Sequence, residues 1–198
     1  MQPILNYLKT NHKSHLIFDL DSTLIKLLID WSTYREQLWK LVSTFDNKLT
    51  EEIPCKPFMG FKLTNTVIKK HGEKAKQILD QFNEHYELTH YTGYLPNANL
   101  ISFIHSYYQQ YHFFLWTNNA KKTIKDVMQK ENFTTCFQKV ITRDDVYYIK
   151  PEIDGFKLIH TNNNLKNGYL LIGDSIFDKQ AADTIGIDFF RVNYFTAS

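Results

Sequence analysis

Glycine is scarce in this chain, at seven residues in 198. None falls into a GxGxxG or GxxxxGK[ST] pattern, so a glycine loop cradling a nucleotide is not expected. Only two cysteines occur, Cys55 and Cys136, with no Cys-x-x-Cys spacing. That argues against a disulfide framework and against a zinc site. No apolar run approaches the roughly 18 residues of a membrane span, and the opening MQPILNYLKTNHKSH has neither a long apolar stretch nor a small-residue cleavage site. Neither charge sign dominates: 23 Lys and Arg face 21 Asp and Glu. The Lys pairs at 69–70 and 121–122 are short and lie in helical patterns, so no nucleic-acid or membrane surface is expected. The default is a cytoplasmic protein, monomer or weak dimer, whose 43% hydrophobic content supports a globular core.

What is present is a rhythm of apolar runs. His15–Leu20, His112–Trp116, Lys139–Thr142, Tyr169–Ile172 and Asp188–Asn193 read as buried strands. Helical patterns stand between them at Asn99–Gln109, Ala120–Glu131, Ile153–Thr161 and Phe177–Ile185. Such alternation predicts an α/β fold, a Rossmann-like three-layer arrangement with a parallel sheet between helices. One interval breaks the rhythm. The 70 residues from Leu24 to Gly93 contain no convincing strand. Trp31, Tyr34, Leu38, Leu41, Val42 and Phe45 share one helical face, and Ala75, Ile78, Leu79, Phe82 and Tyr86 share another. We therefore expect an inserted helical cap domain at 25–92, with the core built from 1–24 and 93–198. PCKPFMGF inside the insertion reads as a loop, and its segment Phe58–Lys62 makes Phe58, Met59 and Lys62 candidates for substrate contact.

Polar groups stand in order at the strand ends. Asp19 and Asp21 follow the first run in LIFDLDSTL, Thr117 and Asn118 follow the second in FLWTNN, Lys150-Pro151 comes after the third, and Asp174 and Asp178 follow the fourth in LLIGDSIFD. In an open parallel sheet ligands bind beyond the carboxyl ends of the strands, where strand order reverses. If the first strand lies between the second and fourth, these groups share one crevice. Four carboxylates about 5 Å apart would repel by about 3 kcal/mol per pair at an effective dielectric near 20, so they need a cation. An all-oxygen set suits magnesium, which shares its shell with phosphate. The chemistry expected is displacement at phosphorus by Asp19, with Asp21 as acid and then base, and with Thr117, Asn118 and Lys150 holding phosphate oxygens. Asp144 and Asp145 read as a solvated loop, and Asp183 as a helix-surface charge.

Together these motifs resemble the haloacid dehalogenase (HAD) superfamily of phosphatases over nearly the whole chain, from Leu16 to Asn193. The resemblance implies Asp19 as nucleophile, Asp21 as general acid/base, Thr117 and Lys150 as phosphate binders and Asp174 as a magnesium ligand. It further implies that Asp178 acts on the metal through water, that Asp21 binds it by its backbone carbonyl, and that the insertion is a type 1 cap. Dehalogenases of the superfamily lack an acid/base two residues after the nucleophile, so Asp21 points away from dehalogenation. Ser22 stands where many of these phosphatases carry Gly, and GDSIFD resembles the phosphoglycolate-phosphatase-like and phosphoglucomutase-like branch. The substrate expected is a small phosphorylated metabolite or nucleotide. A phosphomutase, or a sensor that binds a phosphate ligand without turnover, is the alternative.

Overall fold

Side chains that alternate between two faces of a strand need cover on both, and the chain supplies it. The computed structural model describes residues 2–161 and 164–195; the ends of the expected core, 1 and 196–198, lie outside them. In chain order the elements are α1 (Gln2–Thr10), β1 (His15–Phe18), β2 (Ile25–Leu27), α2 (Trp31–Ser43), α3 (Asn47–Glu52), α4 (Met59–His90), β3 (Tyr94–Pro96) and α5 (Ala98–Tyr107). They continue with β4 (His112–Trp116), α6 (Lys121–Lys130), β5 (Lys139–Ile141), α7 (Asp154–Ile159), β6 (Tyr169–Gly173), α8 (Ile176–Ile185) and β7 (Asp188–Arg191).

Five strands form one parallel sheet in the order β5-β4-β1-β6-β7. Leu16 and Phe18 of β1, Phe113 and Leu115 of β4, and Leu170 and Ile172 of β6 turn to one face, where α1, α5 and α6 cover them with Ile4, Leu8, Phe103, Ile104, Ile124 and Val127. Ile17, Phe114, Trp116 and Leu171 turn to the other, under Phe156 and Ile159 of α7 and Ala181, Ala182 and Ile185 of α8. Period-two alternation with both faces apolar is what a sheet buried between helices requires. The three-layer α/β expectation holds, and β1 lies between β4 and β6.

The segment between β1 and β4 differs from its reading in three ways. It contains a strand, β2, paired antiparallel with β3 so that Ile25 faces Pro96 and Leu27 faces Tyr94. The short apolar run of β2 leads directly into the helical pattern from Trp31, so periodicity does not set it apart. Helix α4 begins at Met59, so Met59–Lys62 is a first helical turn and not a loop; Gly60 is tolerated there, and only the prolines before it break structure. The third difference is a kink at Gly72, whose φ of 70° and ψ of −154° interrupt α4; a left-handed φ favours glycine. Helices α2, α3 and α4 share a core of their own, with Leu38, Trp39, Val42, Leu49, Leu63, Val67 and Leu79 at its centre. The N-terminal helix α1 also went unread, because only Ile4 and Leu8 are buried, with Leu5 and Tyr7 partly buried beside them.

Candidate active site

Asp19 directly follows β1, where its N–H donates to the Ile172 carbonyl at 2.9 Å. Thr117 directly follows β4 and donates its N–H to the Ile141 carbonyl at 2.9 Å. Asp174 directly follows β6. Because β1 is central, these ends converge on one cavity of about 360 Å³, lined also by Asp21, Asn118, Lys150, Asp178 and Phe58. Met59 and Lys62 are not among its lining residues. The helical start of α4 turns Met59 toward the α2–α4 core and leaves Lys62 exposed.

Lys150 is the hub. Its ammonium, buried with the side chain, donates to Asp19 Oδ1 at 2.6 Å, Asp178 Oδ1 at 2.6 Å and the Trp116 carbonyl at 2.8 Å. An ammonium has three protons, and all three are in use. Burial opposes its charge, but Asp178 and Asp19 outweigh burial and hold its pKa above the usual lysine value. The Thr23 hydroxyl, fully buried, lies 3.1 Å from Asp19 Oδ2 and 3.4 Å from Asp174 Oδ1, so its one proton serves either carboxylate. Asp178 is further fixed by Ser175, whose N–H and hydroxyl donate to Oδ2 at 3.1 and 2.5 Å as part of the cap of α8. Gly173 makes room for this: a Cβ there would lie 2.6 Å from Asp178 Cγ.

Asp19, Asp174 and Asp178 each offer a carboxylate oxygen within 4.8 Å of one another. Asp21 is not in that cluster, because its Oδ1 accepts the Leu27 N–H at 2.8 Å. The expected group of four carboxylates is thus three. Crowding shows in their proton affinity. Burial, and after it the Asp178 charge, raises Asp174 to about 6. Burial raises Asp21 to about 7 against the Leu27 hydrogen bond, with Asp174 and Glu87 adding to the rise. Burial also lifts Asp19 well above the ordinary carboxylate value, Lys150 opposing and Asp178 and Asp174 assisting. A compact, all-oxygen donor set whose members resist simultaneous ionisation fits a hard divalent cation such as magnesium.

The loop after β4 is tied down on every side. The Thr117 hydroxyl donates to Asn119 Oδ1 at 2.8 Å and accepts the Asn119 N–H at 3.2 Å. Asn118 uses both ends of its amide on the Lys150 backbone, accepting its N–H at 2.9 Å and donating to its carbonyl at 3.2 Å. Helix α6 starts at Ala120, which has no side-chain cap of its own. Glu87 of α4 takes that place. Its Oε2 accepts the Ala120 N–H at 3.2 Å and the Thr123 hydroxyl at 2.6 Å, while Oε1 receives Arg143 Nη1 at 2.6 Å. Arg143 Nη1 also reaches the Asn118 carbonyl at 3.2 Å.

Sequence reasoning missed Glu87 and Arg143, both nearly fully buried. Glu87 carried no signal, since a carboxylate in a polar helix reads as a solvated face. Arg143 sits just beyond the end of β5, the same signal that marked Asp19, and could have been found. Its neighbours Asp144 and Asp145 are exposed; Asp144 accepts the Lys121 N–H at 2.8 Å and Asp145 completes a capping box with Thr142. Asp183 pairs with Lys179 on the surface of α8 at 2.7 Å.

Comparison with solved structures places this architecture among HAD hydrolases. A predicted phosphoglycolate phosphatase from Haemophilus somnus aligns with a TM-score of 0.60 at 20% identity, over 92% of this chain and 86% of that one. A HAD-superfamily hydrolase from Ehrlichia chaffeensis aligns at 0.55 and 22% identity, over 90% and 88%. The candidate HAD-hydrolase YfnB of Bacillus subtilis, bound to magnesium, aligns at 0.55 and 15% identity, over 94% and 89%. These likenesses establish the fold. No curated protein matches the chain. The family model for haloacid dehalogenase-like hydrolases matches residues 16–192, which takes in every strand of the parallel sheet and all the groups gathered around Lys150, and the chain therefore belongs to the haloacid dehalogenase-like hydrolases.

Proposed function

We propose that this hydrolase is a magnesium-dependent phosphatase that cleaves a small phosphomonoester through an aspartyl-phosphate on Asp19. The observation that carries the reading is the placement of Asp19 at the end of the central strand, held by Lys150 and flanked by Asp174 and Asp178, with Asp21 two residues on. In the first step an Asp19 oxygen bonds to phosphorus, the ester P–O bond breaks, and Asp21 gives its proton to the departing oxygen. In the second, Asp21 takes a proton from water as the water oxygen bonds to phosphorus and the bond to Asp19 breaks. Asp19 and Asp174, with Asp178 behind them, would hold the magnesium, which when bound supplies the positive charge that lets a carboxylate approach a phosphate dianion. Thr117, once its hydroxyl turns from Asn119 Oδ1, and the Asn118 N–H beside it would hold the phosphoryl oxygens. Lys150, whose protons are all in use among protein groups, orients Asp19 rather than reaching out to substrate. Helices α2–α4, the segment 25–92, act as the cap over the cavity.

The test is phosphate release from a panel of phosphomonoesters, with magnesium and again with EDTA. Release that requires the metal is the expected result. Equal release in EDTA would remove magnesium from the mechanism, and failure with every ester would remove the phosphatase.

A further inference from the structure

If the phosphoryl group sits against Asp19, as the proposed function requires, the opposite wall of the cavity meets the rest of the substrate. That wall comes from α2 and the start of α4: Trp31, Tyr34, Arg35, Phe58 and Phe61. It is mostly aromatic carbon, and the polar atoms around it are either engaged or out of solvent's reach. The Tyr34 hydroxyl donates to Asn83 Oδ1 at 2.7 Å. Glu87 Oε1 and Oε2 are taken by Arg143, Ala120 and Thr123. Arg143 Nε and Nη2 lack hydrogen-bond partners and lie out of solvent's reach. Arg35 is the exception. Its hydrogen bond to Ser32 Oγ is a long 3.4 Å, and it makes no ion pair with a carboxylate among the described residues.

Such a wall is a poor match for a polyhydroxylated leaving group. Hydroxyls taken from water need partners, and a buried hydroxyl without one is penalised. It is a good match for a flat ring. Aromatic side chains receive a ring face-on or edge-on, and a planar guanidinium without a carboxylate partner stacks on a ring face. Phe58 adds an independent sign. Its side chain is 65% exposed at the cavity, and its φ of 67° holds it in the left-handed region that bulky residues avoid. Strain of this kind persists where a side chain is held for a use. Size agrees, because about 360 Å³ falls within the span of sites for drug-sized ligands and exceeds what a two-carbon acid fills.

We infer that the leaving group of the substrate carries a planar aromatic or heteroaromatic ring, as in a deoxynucleoside monophosphate, stacked between Phe58, Trp31 and Arg35. This places the chain apart from enzymes that act on hexose phosphates or on phosphoglycolate.

The experiment compares deoxythymidine monophosphate and pyridoxine phosphate with phosphoglycolate and a hexose phosphate, in magnesium. The ring esters are expected to show a kcat/KM about tenfold or more above the others, the size of one good stacking contact. Phe58→Ala and Arg35→Met should each lower the ring-ester kcat/KM several-fold more than that for phosphoglycolate, mainly through KM. Phosphoglycolate or hexose phosphate turned over as well as the ring esters would overturn the inference while leaving the phosphatase standing. A second arm does not depend on turnover: calorimetric binding of deoxythymidine monophosphate and of phosphoglycolate to the Asp19→Asn protein. Tighter binding of the ring ester supports the inference even if the wild type hydrolyses nothing; equal or weaker binding overturns it.

Discussion

Lys150 ties Asp19, the proposed nucleophile, to the helix carrying Asp178, and this decides what a substitution at Asp19 does. An amide in place of the carboxylate keeps the shape, its oxygen still accepts from Lys150 and its NH2 donates to the Thr23 hydroxyl oxygen, but it has no charged oxygen to bond to phosphorus. Asp19→Asn is expected to lower kcat by about a thousandfold or more while its circular dichroism spectrum stays that of the wild type. Turnover near the wild-type rate would disprove the assignment. At this scale the sequence was most legible where chemistry and position coincide. A carboxylate directly after an apolar run is costly unless the strand delivers it to a site, so Asp19 and Asp174 stood out. The details of engagement did not, because nothing in a string of residues says that Lys150 has no proton left over or that Asn118 faces the Lys150 backbone. Ser22 is an intermediate case: its φ of 63° explains physically why glycine suits that position.

Among the elements, α6 depends on a neighbour. A helix beginning at Ala120 leaves its first N–H groups unpaired, and Glu87 of α4 accepts one of them while neutralising Arg143. Glu87→Ala would leave a buried guanidinium without its charge partner. Destabilisation of about 3–5 kcal/mol is expected, read from the urea midpoint, and a loss below 1 kcal/mol would mean that water replaces the carboxylate at no cost. Helix α3 makes a different, pH-dependent case. Asp46 caps it by accepting the Leu49 N–H at 3.1 Å, and Lys70, then His71, draw its pKa down to about 2. A carboxyl depressed in the folded state adds stability above its unfolded value, near 4, and that contribution fades as pH falls toward the folded value. Asp46→Asn should therefore lower the thermal midpoint at neutral pH, with the gap to wild type shrinking between about pH 4 and pH 2. A gap independent of pH would assign the effect to the helix cap alone. Elements were legible where their pattern stood apart from its neighbours: the apolar runs of β4 and β6, and the short β5 between two helical patterns, could be read, the three residues of β2 led straight into a helical pattern, and α1 offered two buried side chains where a helical face needs more.

For the molecule as a whole, two cores line the faces of the sheet and a third holds α2–α4 together. Fold class was legible because this partition follows from hydrophobic period alone. The cavity wall was less so, since which aromatic residues turn inward depends on how α2 and α4 pack. Ligand binding to the folded chain alone stabilises it, by about 2.7 kcal/mol at a hundredfold excess over Kd. Magnesium is accordingly expected to raise the thermal midpoint of the wild type and to leave that of Asp174→Asn nearly unmoved, as measured by calorimetry. A shift of equal size in both proteins would put the cation elsewhere. The ribbon of β2 and β3 has a wider consequence. The chain leaves the sheet at Leu24 and comes back at Asn97, whose N–H bonds the Leu24 carbonyl at 2.8 Å, so departure and return share one doorway. The parts of the segment beyond that doorway that do not touch the core can be lengthened or reshaped while the strands keep their register, provided Glu87 stays to hold Arg143 and the start of α6. Under the proposed function, inheritance can thus revise what the protein selects without reopening the question of how it reacts.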